Sequence, residues 1–269
     1  MMQRSLGTVL MIMTTILLVF AGAARAELLV ATDLNVGGTD TGFSGNWEGS
    51  VNRMLITEDD LVYPYYGITQ TGTTQRVFGG NNTHPDRMQS RNLASAMSGE
   101  IWFSLLVNVP AGGGFAGISF HSDTLAQVGS LTYSHNLADL RVVMSTDALW
   151  VDWEGASVNA SWTPDATAGS FSPGTHLILG HMIIGAGNDT LNVWVDPDLR
   201  DVTGPGGLPA ATYSNTTVDF TDSIVRIGVP LWVSGLDTAD AIWMSNTETA
   251  FYDVTGADMP PSGTLIIIR

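Results

Sequence analysis

The chain runs to 269 residues, contains no cysteine and sets 26 acidic residues against 10 basic ones, for a formal charge of −16. The missing cysteines exclude disulfides, thiol catalysis and thiolate metal sites. The acidic balance disfavours nucleic acid and anionic membrane surfaces as partners, and suits a well-solvated surface.

In chain order, the first feature is a leader. Arg4 precedes an apolar run from Val9 to Phe20, and Ala24 and Ala26 then stand as the small residues of an A-x-A cleavage site. The run is shorter than the roughly 20 residues a spanning helix needs. Residues 1–26 are therefore expected to be a signal peptide, with the remainder secreted or held at the cell surface and no membrane span after cleavage. Losing Arg4 and Arg25 would leave eight arginines against 26 acids, a charge of −18.

Glu27–Leu34 reads as a strand, and Gly37 to Trp47 as a Gly-rich loop anchored by Phe43 and Trp47. Short strand-like segments follow at Arg53–Ile56, Val62–Tyr63 and Arg76–Phe78. Arg91–Met97 leads into Glu100–Val109, where alternation puts Ile101, Phe103, Leu105, Val107 and Val109 on one face. Glu100, Trp102, Ser104, Leu106 and Asn108 take the other. Gly117–His121, Val128–Tyr133, Leu140–Ser145 and Ala148–Trp153 are further strands, and Ser161–Thr175 is a connection.

A hairpin from His176 to Pro197 turns at Gly185-Ala186-Gly187-Asn188-Asp189, residue types that supply positive φ. Leu191, Val193 and Val195 are expected in the core, with Asn192 and Trp194 on the opposite face. Asp198–Ala210 is a Gly/Pro loop, Val218–Ile227 holds one or two strands, and Ala241–Met244 and Thr249–Val254 close the domain. No helical period persists beyond about two turns. The expected architecture is all-β, a jelly-roll sandwich of two antiparallel sheets over residues 27–257, with a tail at 258–269.

Several segments carry a resemblance. They are Thr41-Gly42-Phe43-Ser44-Gly45-Asn46-Trp47, Arg91-Asn92-Leu93, the run Ile101 to Val107, Phe115 to Phe120, and Gly187 to Pro197. In that order they resemble the concanavalin A-like (laminin G-like) jelly-roll domains of secreted bacterial surface proteins. The resemblance implies two curved antiparallel sheets and a carbohydrate- or protein-binding role, sometimes with calcium, and carries over no catalytic residue. The chain departs from it where Asp240 to Ser245 stands in place of a closing Asp-x-Ile-Arg-Ile-Gly strand. The tail's Met259-Pro260-Pro261-Ser262 also falls short of a Pro-Glu-Pro sorting motif.

Trp150-Val151-Asp152-Trp153-Glu154 is similar to the Glu-x-Asp-x-Glu strand of laminarinase-type glycoside hydrolases. Asp152 and Glu154 keep two of the places, but Trp150 stands where the nucleophile belongs. Glycoside hydrolysis takes two carboxylates flanking the bond. The chain is therefore read as a non-catalytic binding or adhesion module for glycans or cell-surface proteins, the alternative being a glycan-active hydrolase or lyase. Trp150, Asp152, Glu154 and Trp194 are the candidate ligand-binding residues, indoles stacking on sugar rings beside hydrogen-bonding carboxylates. Trp102 and Trp153 are expected to cap the core.

No cofactor is required by any motif. Calcium is the one ion the loop acids suggest, through Asp33, Asp40, Asn188, Asp189, Asp196 and Asp198, although those residue types also cap turns. His84, His121, His135, His176 and His181 have no zinc spacing. No Gly-x-Ser-x-Gly elbow or phosphate-cradling glycine loop is present.

Overall fold

The computed structural model describes residues 29–32, 43–49, 54–57, 61–63, 70–71, 76–79, 88–122, 138–153, 164–231 and 237–256. The segment expected to be a signal peptide (1–26), the expected tail (258–269), Val128–Tyr133, Glu154, Asp33, Asp40, His84 and His135 lie outside them. The early strands are β1 (Leu29–Thr32), β2 (Phe43–Gly49), β3 (Met54–Thr57), β4 (Val62–Tyr63), β5 (Gln70–Thr71) and β6 (Arg76–Gly79). The central set is β7 (Met88–Met97), β8 (Gly99–Val109), β9 (Phe115–His121), β10 (Leu140–Ser145), β11 (Leu149–Trp153) and β12 (Ala166–Ala168). The last are β13 (Gly174–Ile184), β14 (Thr190–Val195), β15 (Tyr213–Asn215), β16 (Ile224–Pro230) and β17 (Thr238–Ser245), followed by a short helix, α1 (Ala250–Thr255). No helix among the described residues is long and apolar enough to cross a membrane.

Two antiparallel sheets form the body. Sheet I has eight strands in the order β15-β14-β13-β8-β17-β6-β3, with β1 also paired to β17; sheet II has seven, in the order β12-β11-β10-β9-β16-β7-β2. The chain crosses between the two sheets at β1–β2, β2–β3, β6–β7, β7–β8, β8–β9, β12–β13, β15–β16 and β16–β17, while β9–β12 and β13–β15 run as meanders. This is the all-β jelly-roll sandwich of two antiparallel sheets expected from the sequence.

Alternation fills the space between the sheets. Ile101, Phe103, Leu105 and Val107 of β8 meet Ile118 and Phe120 of β9 and Val142 of β10, all fully buried. Phe103 and Phe120 pack edge-on with centroids 5.1 Å apart. Leu191, Val193 and Val195 join the same core, as the hairpin pattern predicts. Gly180 is required here, because a Cβ would stand 2.0 Å from the Phe103 ring across the strand pair.

Several local expectations give way: the connection expected at Ser161–Thr175 contains β12 and the first residues of β13, and the Asp198–Ala210 loop contains a 3-10 turn at Pro205–Gly207. Phe43–Trp47, read as loop, belongs to β2, paired with β7. Val218–Asp222 is irregular, and the strand begins at Ile224. Thr249–Val254, read as a strand, is covered by α1. Ser245 and Thr247 donate their hydroxyls to Asp253 Oδ2 at 2.7 and 2.6 Å, and Thr249 donates to Oδ1 at 3.1 Å, fixing the first turn. Gly256 ends the helix at φ 67°, its N–H donating to the Tyr252 carbonyl. A six-residue helix is too short to leave a period in the sequence.

The helix has a packing role. Phe251 and Val254, three apart and so on one face, close over Trp102, Leu179 and Trp194 on the outer side of sheet I. Beside them Leu199 covers Leu106 and Leu177, with Val202 and Leu208 packed alongside. The outer side of sheet I is therefore a second apolar layer.

Candidate functional site

The outer side of sheet II is built differently. Leu149 and Val151 point into the core, so alternation turns Trp150 and Asp152 outward. Antiparallel register then sets Trp150 opposite Val143 and Asp152 opposite Arg141 on the neighbouring β10. Arg141 and Asp152 form an ion pair, each about a fifth exposed or less. Burial pushes the Arg141 pKa down to about 10, opposed by the charge of Asp165, so the guanidinium remains protonated at neutral pH.

Phe115, Val143 and Pro164 complete a shallow, open depression with these three residues. The Phe115 and Trp150 rings lie 6.1 Å apart at a tilt of 52°. The pocket thus has an apolar floor with one charged edge. An indole and a phenyl ring offer C–H-binding surfaces, Asp152 offers acceptor oxygens and Arg141 offers planar donors. Next to it, Asp165 accepts the Trp153 N–H at 2.8 Å.

Farther across the same side, polar groups lock strands together. Arg226, fully buried, donates Nε to Ser90 Oγ at 2.9 Å and Nη1 to Asn92 Oδ1 at 3.0 Å. Ser119 Oγ and His121 Nε2 are 3.0 Å apart, both buried. These groups are enclosed, whereas Trp150 is only half-buried.

The structure separates the two candidate tryptophans. Trp194 belongs to sheet I, is 8% exposed, and stacks on Trp102 with centroids 5.9 Å apart. Its Nε1–H donates to the Pro209 carbonyl at 2.8 Å. The expectation that Trp194 presents a sugar-stacking face is corrected by this cover: α1 and the 199–211 segment occupy that face. Trp102 is buried at 3% and Trp153 half-buried beside Tyr213 and Phe220, both packed on a core as expected. Arg141, Phe115, Val143 and Pro164 were not foreseen as site residues. Arg141 and Asp152 become neighbours only through the β10–β11 register, and Phe115 only through β9.

The described loop acids hold protein groups. Asp189, 1% exposed, accepts the N–H groups of Gly185, Phe220 and Thr221 at 3.0, 2.7 and 3.1 Å. Asp196, at φ 52°, accepts Leu177 N–H at 2.9 Å and bonds His176 Nδ1 at 2.6 Å. Asp198 pairs with Arg200, whose hydrogen bonds pull its pKa down to about 2. Among the described residues no group of three or more His, Asp or Glu converges as a metal site would require.

The described histidines His176 and His181 have structural partners too. His176 Nε2 faces the Ser172 carbonyl at 2.8 Å, so both ring nitrogens meet acceptors. Burial works to lower the His176 pKa, but the bonded Asp196 carboxylate and the Ser172 carbonyl outweigh it, and the net shift is upward. His181 stacks on Trp102 at 4.4 Å and bonds Glu100 at 3.1 Å; burial dominates there and lowers its pKa.

No family model matches the chain, and no curated protein matches it. Among solved structures, it is similar to the exoplasmic/lumenal domain of VIP36 in a Ca2+/Man3GlcNAc-bound form, at 15% identity, TM-score 0.43, covering 80% of this chain and 95% of that one. It is also similar to a legume lectin-like domain from Entamoeba histolytica, at 11% identity and TM-score 0.41, over 72% of this chain and 89% of that one. The carbohydrate recognition domain of Emp47p matches at 11% identity and TM-score 0.42, over 83% and 98%. At these values no residue is carried over from them to this chain.

Proposed function

We propose that the chain is an exported, non-catalytic glycan-binding module whose ligand seat is the Trp150 pocket on the outer side of sheet II. The observation that carries the reading is a half-buried indole facing outward beside a paired carboxylate and guanidinium. A sugar ring presents C–H groups on one face and hydroxyls around its rim, and this floor and edge complement both.

The site also favours binding over cleavage. Asp152, which lines the pocket, is tied to Arg141 rather than free to act as acid or nucleophile, and Asp165 beside it accepts a backbone N–H. Hydrolysis of a glycosidic bond takes an acid and a second carboxylate about 5–9.5 Å apart. Titrating tryptophan fluorescence against a panel of oligosaccharides tests the reading. A saturable shift that disappears in Trp150→Ala, with no new reducing ends, is expected. A flat response to every sugar overturns binding, and release of reducing ends overturns the non-catalytic assignment.

A further inference from the structure

Resting on the glycan-binding reading, we infer that the Trp150 pocket selects uncharged sugars and turns away uronates and sulfated sugars. The argument starts from Arg141, the cation lining the pocket. A free guanidinium would recognise a carboxylate or sulfate through two parallel hydrogen bonds. Here that fork is engaged by Asp152, on the facing strand position. Asp165 adds a second negative charge close enough to act on Arg141. The trio of Arg141, Asp152 and Asp165 therefore carries one net negative charge.

Another described cation on this side, Arg226, is enclosed and directed at Ser90 and Asn92. The charge of the whole chain, −16, has the same sign as the local excess. An anionic sugar entering the pocket would have to break the Arg141–Asp152 pair, leaving a partly buried carboxylate facing a second anion. Like charges brought together in an interface are strongly disfavoured. An uncharged sugar meets no such obstacle. Its hydroxyls donate to Asp152 and accept from Arg141 while the pair stays intact, and its C–H face lies on Trp150.

The experiment compares neutral oligosaccharides (cello-, manno-, laminari- and xylo-oligomers) with oligogalacturonate, oligo-alginate and a sulfated oligogalactan, by calorimetry on the full chain. Wild type is expected to bind at least one neutral class with a Kd about tenfold or more below that for any anionic one. Asp152→Asn, which unmasks Arg141, is expected to gain about tenfold toward the uronates, and the gain should fade with added salt. Asp165→Asn keeps an oxygen for the Trp153 N–H and lowers the local charge without touching the pair; it should shift the same preference by a smaller factor. Wild-type preference for the anionic sugars overturns the inference while leaving the glycan-binding reading standing. An unchanged preference in folded Asp152→Asn and Asp165→Asn also overturns it. Failure of every sugar to bind sinks the underlying reading and the inference with it.

Discussion

The two outer sides of the sandwich make the instructive contrast. On sheet I, Trp102, Leu179 and Trp194 are sealed beneath Phe251 and Val254, and Leu106 and Leu177 beneath Leu199. On sheet II the described outward residues include the polar, strand-locking Arg226 and the open pocket around Trp150. In both cases alternation sends an indole away from the main core. What differs is their burial: Trp194 lies beneath α1, whereas Trp150 is half-buried. The same residue type is packing on one side and, in the function proposed, a ligand seat on the other.

That contrast can be broken most readily on sheet I. Trp102→Ala or Phe251→Ala removes a large buried ring from the second layer and should cost about 3–5 kcal/mol, read as a lower urea midpoint, while sugar affinity at the Trp150 pocket is unchanged. A loss of sugar binding in a still-folded variant would place the ligand on the wrong side for this account. Asp189→Ala orphans three backbone N–H groups at the hairpin tip and should cost about 2 kcal/mol or more. Because the carboxylate holds N–H groups, the loss should be the same with and without a chelator; a chelator-dependent loss would reveal an ion there.

Gly180→Ala drives a methyl into Phe103 in the shared core and should cost about 1–3 kcal/mol, by the same denaturation measurement. A smaller, pH-dependent effect belongs to His176. Its folded pKa is raised above the unfolded value of about 6.5. The stabilisation is therefore fully present below about pH 6.5 and fades as pH climbs through the raised value. The stability gap between wild type and His176→Gln should accordingly be widest in mild acid and narrow toward alkaline pH. A gap that widens with pH would contradict the paired, protonated imidazole. Smallest of all, Trp150→Ala should change stability by no more than about 1 kcal/mol, which distinguishes a half-exposed seat from a core residue.

Much of the main core was legible because strand alternation is a local property. Ile101 to Val109 and Leu191 to Val195 declare their inner face by spacing alone. The two-sheet class followed from many short strands with Gly and Pro turns. The cover of sheet I was not legible, since α1 is one and a half turns long and its apolar pair Phe251 and Val254 also fits a short strand. Trp194 could not be told from Trp150 for the same reason: whether an outward indole is covered depends on segments far away in sequence. The site was half legible. Trp150 and Asp152 share a face by spacing, whereas Arg141 and Phe115 reach them only through register across three strands. The acids Asp189 and Asp196 have the composition of ion ligands, and only the fold reveals that backbone N–H groups occupy them.

The most direct measurement is a calorimetric titration of neutral oligosaccharides into three folded proteins, wild type, Trp150→Ala and Trp194→Phe. The account predicts a saturable heat for wild type and Trp194→Phe at closely similar Kd, and none for Trp150→Ala. Binding that survives in Trp150→Ala, or vanishes in Trp194→Phe, would contradict it.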